Sequence, residues 1–268
     1  YVPRFRQLIN TDLHSLLRSE VQGLLLATII DSIRRKPDAL FIDIGAGNGY
    51  TALNALSLGA RVIAFEPLID NVMPLIASVN AGEHKKRFWL YHNAVSFEPT
   101  AVALSYTGEV SVTSGDDTHV TDTVPDCGLP VPDRGEYGDS WAETVSVDQV
   151  MGTLFPDEKN IRVISIDVSG FELQVVGGML NTLCTRNVDT IIIRRTTPPF
   201  IKNCNQEAMF SLFDRLGYEL IDANGNPFDT EDAAASSTAL IFVQKFLGLT
   251  PFVRLAKDSD SVCSRGKA

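Results

Sequence analysis

Apolar residues recur along the chain with two different periods, and their alternation predicts its secondary structure. Near the N-terminus they follow helical spacing over residues 11–36, with Thr11 as the N-cap and Pro37 at the end. Short runs rich in Val and Ile predict strands at 39–44, 61–65, 88–95, 162–167, 190–193, 218–222 and 239–245. The segments between them predict helices at 50–58, 71–80, 171–183 and 205–216.

This alternation predicts an α/β fold, in which a doubly wound, mostly parallel seven-stranded sheet carries helices on both faces. No helical segment separates the last two predicted strands. We therefore expect them to pair as a hairpin, which places one antiparallel strand in the sheet.

The alternation is interrupted by an insert at residues 101–142. Its first part predicts a hairpin that turns at Thr107-Gly108, and the remainder is a long loop rich in Gly, Pro and Asp. Long loops in compact domains are usually functional or disordered. Here a loop that covers the substrate and a loop without that role are equally favoured. We divide the chain into an N-terminal helical segment (1–37) that packs on the core, a domain (38–250) with this insert, and a polar tail (251–268).

Composition and charge narrow the class of protein. The 268 residues are 44% hydrophobic and 21% charged, which is ordinary for one globular domain. The formal net charge is −10, so the surface repels phosphate backbones and nucleic-acid binding is not expected. The densest basic stretch, HKKR at residues 84–87, is interpreted as a solvated corner before a strand.

Cysteines and apolar runs indicate the compartment of the protein and whether it spans a membrane. The four cysteines form no CxxC pair and have no His at zinc spacing, so we expect no metal site and favour a reducing compartment such as the cytoplasm or an organelle matrix. No apolar run approaches the roughly 20 residues that span a bilayer, which predicts a soluble chain. Because the chain begins at Tyr1, the interpretation leaves room for an upstream targeting segment or anchor.

The first predicted strand runs into a glycine-rich turn, DIGAGNG, before a helix begins at Tyr50. Ligands of open α/β sheets bind outside the carboxyl ends of the strands, where glycines permit tight bends and the helix N-terminus offers free N–H groups. A dinucleotide fingerprint would read G-x-G-x-x-G, but here the third glycine comes one residue early. The D-x-G-x-G-x-G form is the hallmark of S-adenosylmethionine-dependent methyltransferases. A purely structural glycine turn is the alternative.

A second signal agrees with that interpretation. Glu66 ends the second predicted strand about 20 residues later, where an acid can accept hydrogen bonds from ribose hydroxyls. Asn48 and Tyr50 are expected to line the methionine end, and Asn93 is either an adenine-side contact or a turn former. The predicted donor site comprises Asp43, Gly45, Ala46, Gly47, Asn48, Gly49, Tyr50, Glu66 and Asn93.

The final strand hairpin supports the same class, because a seven-stranded sheet with one antiparallel strand is the usual class I, Rossmann-like methyltransferase arrangement. NAD-binding domains lack that strand. An NAD-dependent oxidoreductase is therefore disfavoured by both the hairpin and the glycine spacing.

Three blocks of sequence resemble the FkbM-type methyltransferases. They are DIGAGNGYTALNALSLGARVIAFEP, then VSVDQV, and finally ISIDVSGFELQVVGGM, and the resemblance covers roughly residues 40–217. VSVDQV resembles the short "LD" element of that family. The last block is similar to its "LKIDVEGxExxVLxG" segment, with Asp167, Gly170, Glu172 and Gly178 in register. The order and spacing of the blocks make the match specific.

The resemblance implies S-adenosylmethionine-dependent O-methylation of a hydroxyl on a sugar or another small molecule. Such an enzyme holds the hydroxyl in line with the S–CH₃ bond at about 3 Å, and a nearby acid orients it or takes its proton. Asp167 is the first candidate for that acid and Glu172 the second. The alternative role of Asp167 is to cap the helix that begins near Gly170.

Two departures from the family pattern favour a different hypothesis about function. Ser169 replaces an acid, and Arg194 and Arg195 stand where the fifth strand of the family commonly ends in a carboxylate. The arginines either bind an anionic substrate group or mark the loss of the original chemistry. The second hypothesis is therefore a catalytically degenerate methyltransferase-fold protein that serves as a structural or assembly subunit of a larger complex.

Overall fold

The structure is a computed structural model. It describes residues 26–99 except 28, 32, 35 and 37, and then 101–106, 110–114, 140–168, 171–194, 204–221, 227 and 240–244. The start of the predicted first helix, the long loop of the insert, residues 169, 170 and 195, and the polar tail lie outside these ranges. The described positions between 26 and 34 are helical, with Ile29 and Ile33 buried against the core.

Besides the helical positions between 26 and 34, eleven strands and six helices are described, together with a 3₁₀ turn at Lys85–Arg87. The strands are β1 (Leu40–Ile44), β2 (Arg61–Phe65), β3 (Phe88–Tyr91), β4 (Ala94–Val95), β5 (Ala101–Tyr106), β6 (Val110–Ser114), β7 (Ser140–Val145), β8 (Asn160–Ile166), β9 (Asn187–Ile193), β10 (Tyr218–Ile221) and β11 (Leu240–Gln244). The helices are α1 (Tyr50–Ser57), α2 (Ile69–Ala81), α3 (Val147–Leu154), α4 (Glu172–Gly177), α5 (Leu180–Thr185) and α6 (Cys204–Arg215).

The main sheet has seven strands in the order β10-β11-β9-β8-β1-β2-β3. β11 runs antiparallel to both of its neighbours, and the other pairs are parallel. The predicted terminal hairpin is thus confirmed, and so is the doubly wound class. Strand order reverses between β1 and β8, so the crevice for a ligand is expected beyond the carboxyl end of β1.

Side chains of β1 alternate between two buried layers, which explains its near-continuous apolar sequence. Leu40, Ile42 and Ile44 pack with α3, α4, α5 and α6 on one face of the sheet. Phe41 packs on the other face with α1 and α2. Asp43 shares the face of Phe41 and is the only charged residue in this strand.

A second, four-stranded sheet has the order β4-β7-β5-β6. The predicted hairpin of the insert is confirmed, with Tyr106 opposite Val110 in the register of β5 and β6. The prediction of one strand at 88–95 is wrong, because the chain leaves the main sheet after β3 and β4 pairs with β7 instead. Only the start of β7 falls within the predicted long loop, and no strand was predicted over Ser140–Val145.

Two helix predictions also need correction. The helix expected at 171–183 is interrupted between α4 and α5 at Gly178, where a Cβ would lie 2.4 Å from the carbonyl oxygen of Ser96. Helix α3 was missed, although Ser146 caps it by accepting a hydrogen bond from the Gln149 N–H at 3.0 Å. Its first residues were identified only as part of the VSVDQV block.

Cys184 in α5 is disulfide-bonded, and the side chain of its partner lies outside the described residues. Disulfides persist mainly in oxidising environments, and the compartment of the protein stays a prediction. Within the described ranges, no helix has both the length and the apolar character needed to cross a bilayer.

Candidate functional site

The glycine turn after β1 is held against the end of β2. The backbone N–H groups of Gly45 and Ala46 both donate to the carbonyl oxygen of Phe65, at 2.9 and 3.0 Å. Gly45, Gly47 and Gly49 have φ of +79°, +57° and +89°, in the region where glycine is favoured. The turn therefore has a defined shape, and it delivers the chain into the N-terminus of α1.

The three glycines of the turn have different surroundings. A Cβ on Gly45 would lie 2.0 Å from the Asp167 carbonyl oxygen, and one on Gly49 would lie 2.2 Å from Leu75 Cδ1. Those two glycines permit close packing within the protein. A Cβ on Gly47 would meet no atom within 4 Å, so the exposed side of the turn is at Gly47.

Glu66 joins the turn to the end of β2. Its Oε2 accepts a hydrogen bond from the Gly47 N–H at 2.7 Å. Its Oε1 accepts from the Leu68 N–H at 2.9 Å and from Asn71 Nδ2 at 3.2 Å. The carboxylate is 4% exposed and already has three donors, while its two oxygens can accept about four.

Asp43 lies in β1, two residues before Gly45, and is 2% exposed. Burial raises the pKa of its carboxyl to about 7, and the neighbouring charges of Asp167 and Glu66 add to the shift. Hydrogen bonds from the Ser165 side chain and the Ala52 N–H offset part of it. Its Oδ2 has no hydrogen-bond partner among the described residues, which is rare for a buried carboxyl oxygen.

Asp167 follows β8 and forms an ion pair with Arg194, which follows β9. Arg194 Nη1 lies 3.0 Å from Asp167 Oδ2, and both side chains are about one-third exposed. The Asp167 N–H donates to the Ile44 carbonyl oxygen at 2.9 Å, which places Asp167 beside the start of the glycine turn. Asp167 does not serve as the N-cap of α4, since that position belongs to Phe171.

The remaining predicted site residues occupy the rim of this region or lie beyond it. Asn48 is exposed and Tyr50 is half-buried as the first residue of α1. Asn93 joins the two sheets, because its Nδ2 donates to the Glu143 carbonyl oxygen at 3.2 Å. Glu172 begins α4 and is half-buried.

Some contributing residues were not identified from the sequence. Asn71 orients Glu66 from the first turn of α2, and Ser165 donates to Asp43 from the adjacent strand β8. Neither residue belongs to a recognisable motif, because both contacts depend on tertiary packing. In the part of the chain that the structure describes, no group of His, Cys, Asp and Glu is suited to bind a metal ion.

The VSVDQV block has a structural role. Asp148 accepts hydrogen bonds from the backbone N–H groups of Asn181 and Thr182, at 2.9 and 2.6 Å, and so caps the N-terminus of α5. Burial raises the pKa of this carboxyl. The element therefore joins α3 to the α4–α5 region.

The sheet order, its single antiparallel strand and the glycine turn joined to Glu66 define a class I methyltransferase fold. Methyltransferases of this class use S-adenosylmethionine as the methyl donor. Residues 43–220 match the methyltransferase FkbM domain, and the chain belongs to that family. Family and fold together support a methyltransferase function.

Solved structures provide more distant similarities. The chain is 12% identical to the methyltransferase FkbM from Methylobacillus flagellatus, with a TM-score of 0.47, and 77% of this chain aligns with 43% of that one. It is also 12% identical to precorrin-6y C5,15-methyltransferase from Geobacter metallireducens, with a TM-score of 0.43, covering 85% of this chain and 92% of that one. A comparison with curated proteins found no significant match. The family assignment therefore depends on the domain match.

Proposed function

We propose that this chain binds S-adenosylmethionine at the glycine turn and transfers its methyl group to a hydroxyl of a sugar or another small molecule. The observation that carries the proposal is the 2.7 Å hydrogen bond from the Gly47 N–H to Glu66. This hydrogen bond holds the turn against Glu66 at the end of β2. Next to it is the open space that a Cβ on Gly47 would occupy.

The residues present suit the donor. The N-terminus of α1 and the exposed side of Gly47 accommodate its methionine portion, with Asn48 and Tyr50 at the rim. Glu66 has the capacity for a hydrogen bond from a ribose hydroxyl in addition to its present donors. When bound, the donor supplies an electrophilic methyl group on a sulfonium.

Asp167 is the residue that we assign to the acceptor. It lies beside the turn, and its side chain is partly exposed, so a hydroxyl can reach its carboxylate. The carboxylate orients that hydroxyl and takes its proton. Arg194 keeps the carboxylate in place through their ion pair. Glu172 is the second candidate for the same role.

A first experiment tests donor binding and then chemistry. Calorimetry with S-adenosylhomocysteine is expected to show one binding site per chain, and Glu66→Gln is expected to weaken it. A screen with methyl-labelled donor against sugars and small hydroxylated compounds then identifies the acceptor. Asp167→Asn is expected to abolish methylation without weakening the affinity for S-adenosylhomocysteine. Loss of both, or of neither, contradicts the assignment of Asp167.

The ion pair supports a second candidate function. Because Asp167 is already paired with Arg194 and Glu66 with three donors of its own chain, both carboxylates are stabilised without any ligand. A methyltransferase-fold subunit of a larger assembly would retain such contacts after losing catalysis. Stoichiometric co-purification with a large complex, together with no binding of S-adenosylhomocysteine, would favour this function over the enzyme.

A further inference from the structure

Four charged side chains lie on one face of the main sheet, at the carboxyl ends of four adjacent strands. Asp43 in β1 is opposite Ala64 in β2 and Ser165 in β8, and Ser165 is opposite Ile192 in β9. Because side chains alternate along a strand, the residues two positions beyond these partners share the face of Asp43. They are Glu66, Asp167 and Arg194.

These four side chains have an excess of acidic groups. They comprise three carboxyl groups and one guanidinium, and that guanidinium pairs with Asp167. In the described ranges, no ion pair reaches Asp43 or Glu66. Asp43 is also the most deeply buried of the three acids and has one oxygen without a hydrogen-bond donor. A carboxylate in that position needs either a proton or a cation.

We propose that binding of the methyl donor is linked to release of a proton from Asp43. This inference rests on the proposed function. Below pH 7, the Asp43 carboxyl of the free protein holds a proton that offsets its burial among the other acids. The α-ammonium group of the bound donor brings a positive charge to the same region. That charge favours the carboxylate, and the proton passes to the solvent.

The groups that face Asp43 allow this exchange. From α1 it receives the Ala52 N–H, from β8 the Ser165 hydroxyl and the Asp167 charge, and from β2 the Glu66 charge. The Arg194 guanidinium pairs with Asp167 instead. Because the pKa of Asp43 is about 7, roughly half of the free protein is protonated at neutral pH.

The expected consequence is an affinity that depends on pH. Below pH 7, affinity should rise by up to about tenfold per pH unit, and above about pH 8 it should level off. At pH 7, binding should release about 0.5 proton per chain. A ligand without the ammonium group should bind without either effect.

The test is calorimetry with S-adenosylhomocysteine from pH 5.5 to pH 8, in two buffers of different ionisation enthalpy. The difference in binding enthalpy between the buffers measures the protons released. 5′-Methylthioadenosine is the control ligand, since it keeps the nucleoside and thioether but lacks the amino-acid portion. Asp43→Asn should abolish proton release. Asp148→Asn is the matched control, because burial also raises the pKa of that carboxyl but it lies in α3, against the N-terminus of α5, and it should leave proton release unchanged.

Proton release with S-adenosylhomocysteine and none with 5′-methylthioadenosine supports the inference. If Asp43→Asn does not fold, the comparison of the two ligands on the wild-type protein still decides. Binding of S-adenosylhomocysteine with the same affinity across the pH range, and without proton exchange, overturns the inference but leaves the proposed function standing. No binding of either ligand at any pH overturns both.

Discussion

Replacement of Asp43 by Asn should change how the stability of the protein depends on pH. The Asp43 carboxyl has its pKa raised from 3.8 to about 7 in the folded protein, mainly by burial. Between these values the folded state holds a proton that the unfolded state has released. The contribution of Asp43 to the free energy of unfolding is therefore largest at low pH and declines as pH rises to about 7, which is the reverse of a salt-bridged Asp.

The magnitude follows from the size of the shift. A difference of about three pKa units corresponds to about 4 kcal/mol over the full range, of which about 3 kcal/mol falls between pH 5 and pH 8. An Asn side chain has no charge to bury, so Asp43→Asn removes this dependence. Relative to the wild type, the variant should therefore gain about 3 kcal/mol of stability between pH 5 and pH 8.

Urea unfolding of both proteins at pH 5, 6, 7 and 8 measures this difference, since contributions of all other groups are shared. Parallel pH profiles for the wild type and Asp43→Asn would refute the reasoning. They would mean that the Asp43 carboxyl has an ordinary pKa, and that a donor absent from the described contacts reaches its second oxygen.

Three further predictions concern the glycine turn, the buried Arg186 and the disulfide of Cys184. Gly45→Ala should lower the melting temperature sharply or prevent folding, because its Cβ would lie 2.0 Å from the Asp167 carbonyl oxygen; a melting temperature near that of the wild type would contradict the close approach of β8. Arg186→Met should cost about 2–4 kcal/mol in urea unfolding, since the buried guanidinium donates to the carbonyl oxygens of Met151, Phe155 and Glu158. An unchanged midpoint would show that those carbonyl groups find other donors. Mass spectrometry of the unreduced protein should find Cys184 in a disulfide, and its alkylation without reductant would contradict that bond.

The fold was predictable because its strands are short, buried and separated by clear breaks. β2 was predicted with its observed bounds, and the antiparallel position of β11 followed from the missing helix between the last strands. The insert was harder. Its strand β7 alternates small, aromatic and charged residues, and it pairs with β4 and β5, partners that no local pattern identifies.

The candidate site was predictable only in outline. The glycine turn and Glu66 have a recognisable spacing, and the structure brings them into contact. The separate roles of Gly45, Gly47 and Gly49 were not predictable, since they depend on which neighbour approaches each backbone position. The ion pair between Asp167 and Arg194 was missed for the same reason, because their proximity arises from the register of β8 and β9.

The central claim is that the methyl donor lies against Gly47, and one titration tests it directly. Gly47→Ala places a methyl group where the protein has no atom within 4 Å, at a strain of about 1–2 kcal/mol for its φ of +57°. Gly59→Ala is the matched control. Gly59 also has a positive φ, of +98°, but it precedes β2 and so lies at the amino ends of the strands, away from the glycine turn.

Calorimetry with S-adenosylhomocysteine should show at least about a tenfold loss of affinity for Gly47→Ala, equivalent to about 1.4 kcal/mol, and wild-type affinity for Gly59→Ala. Equal affinity of the wild type and both folded variants would contradict a donor site at this turn.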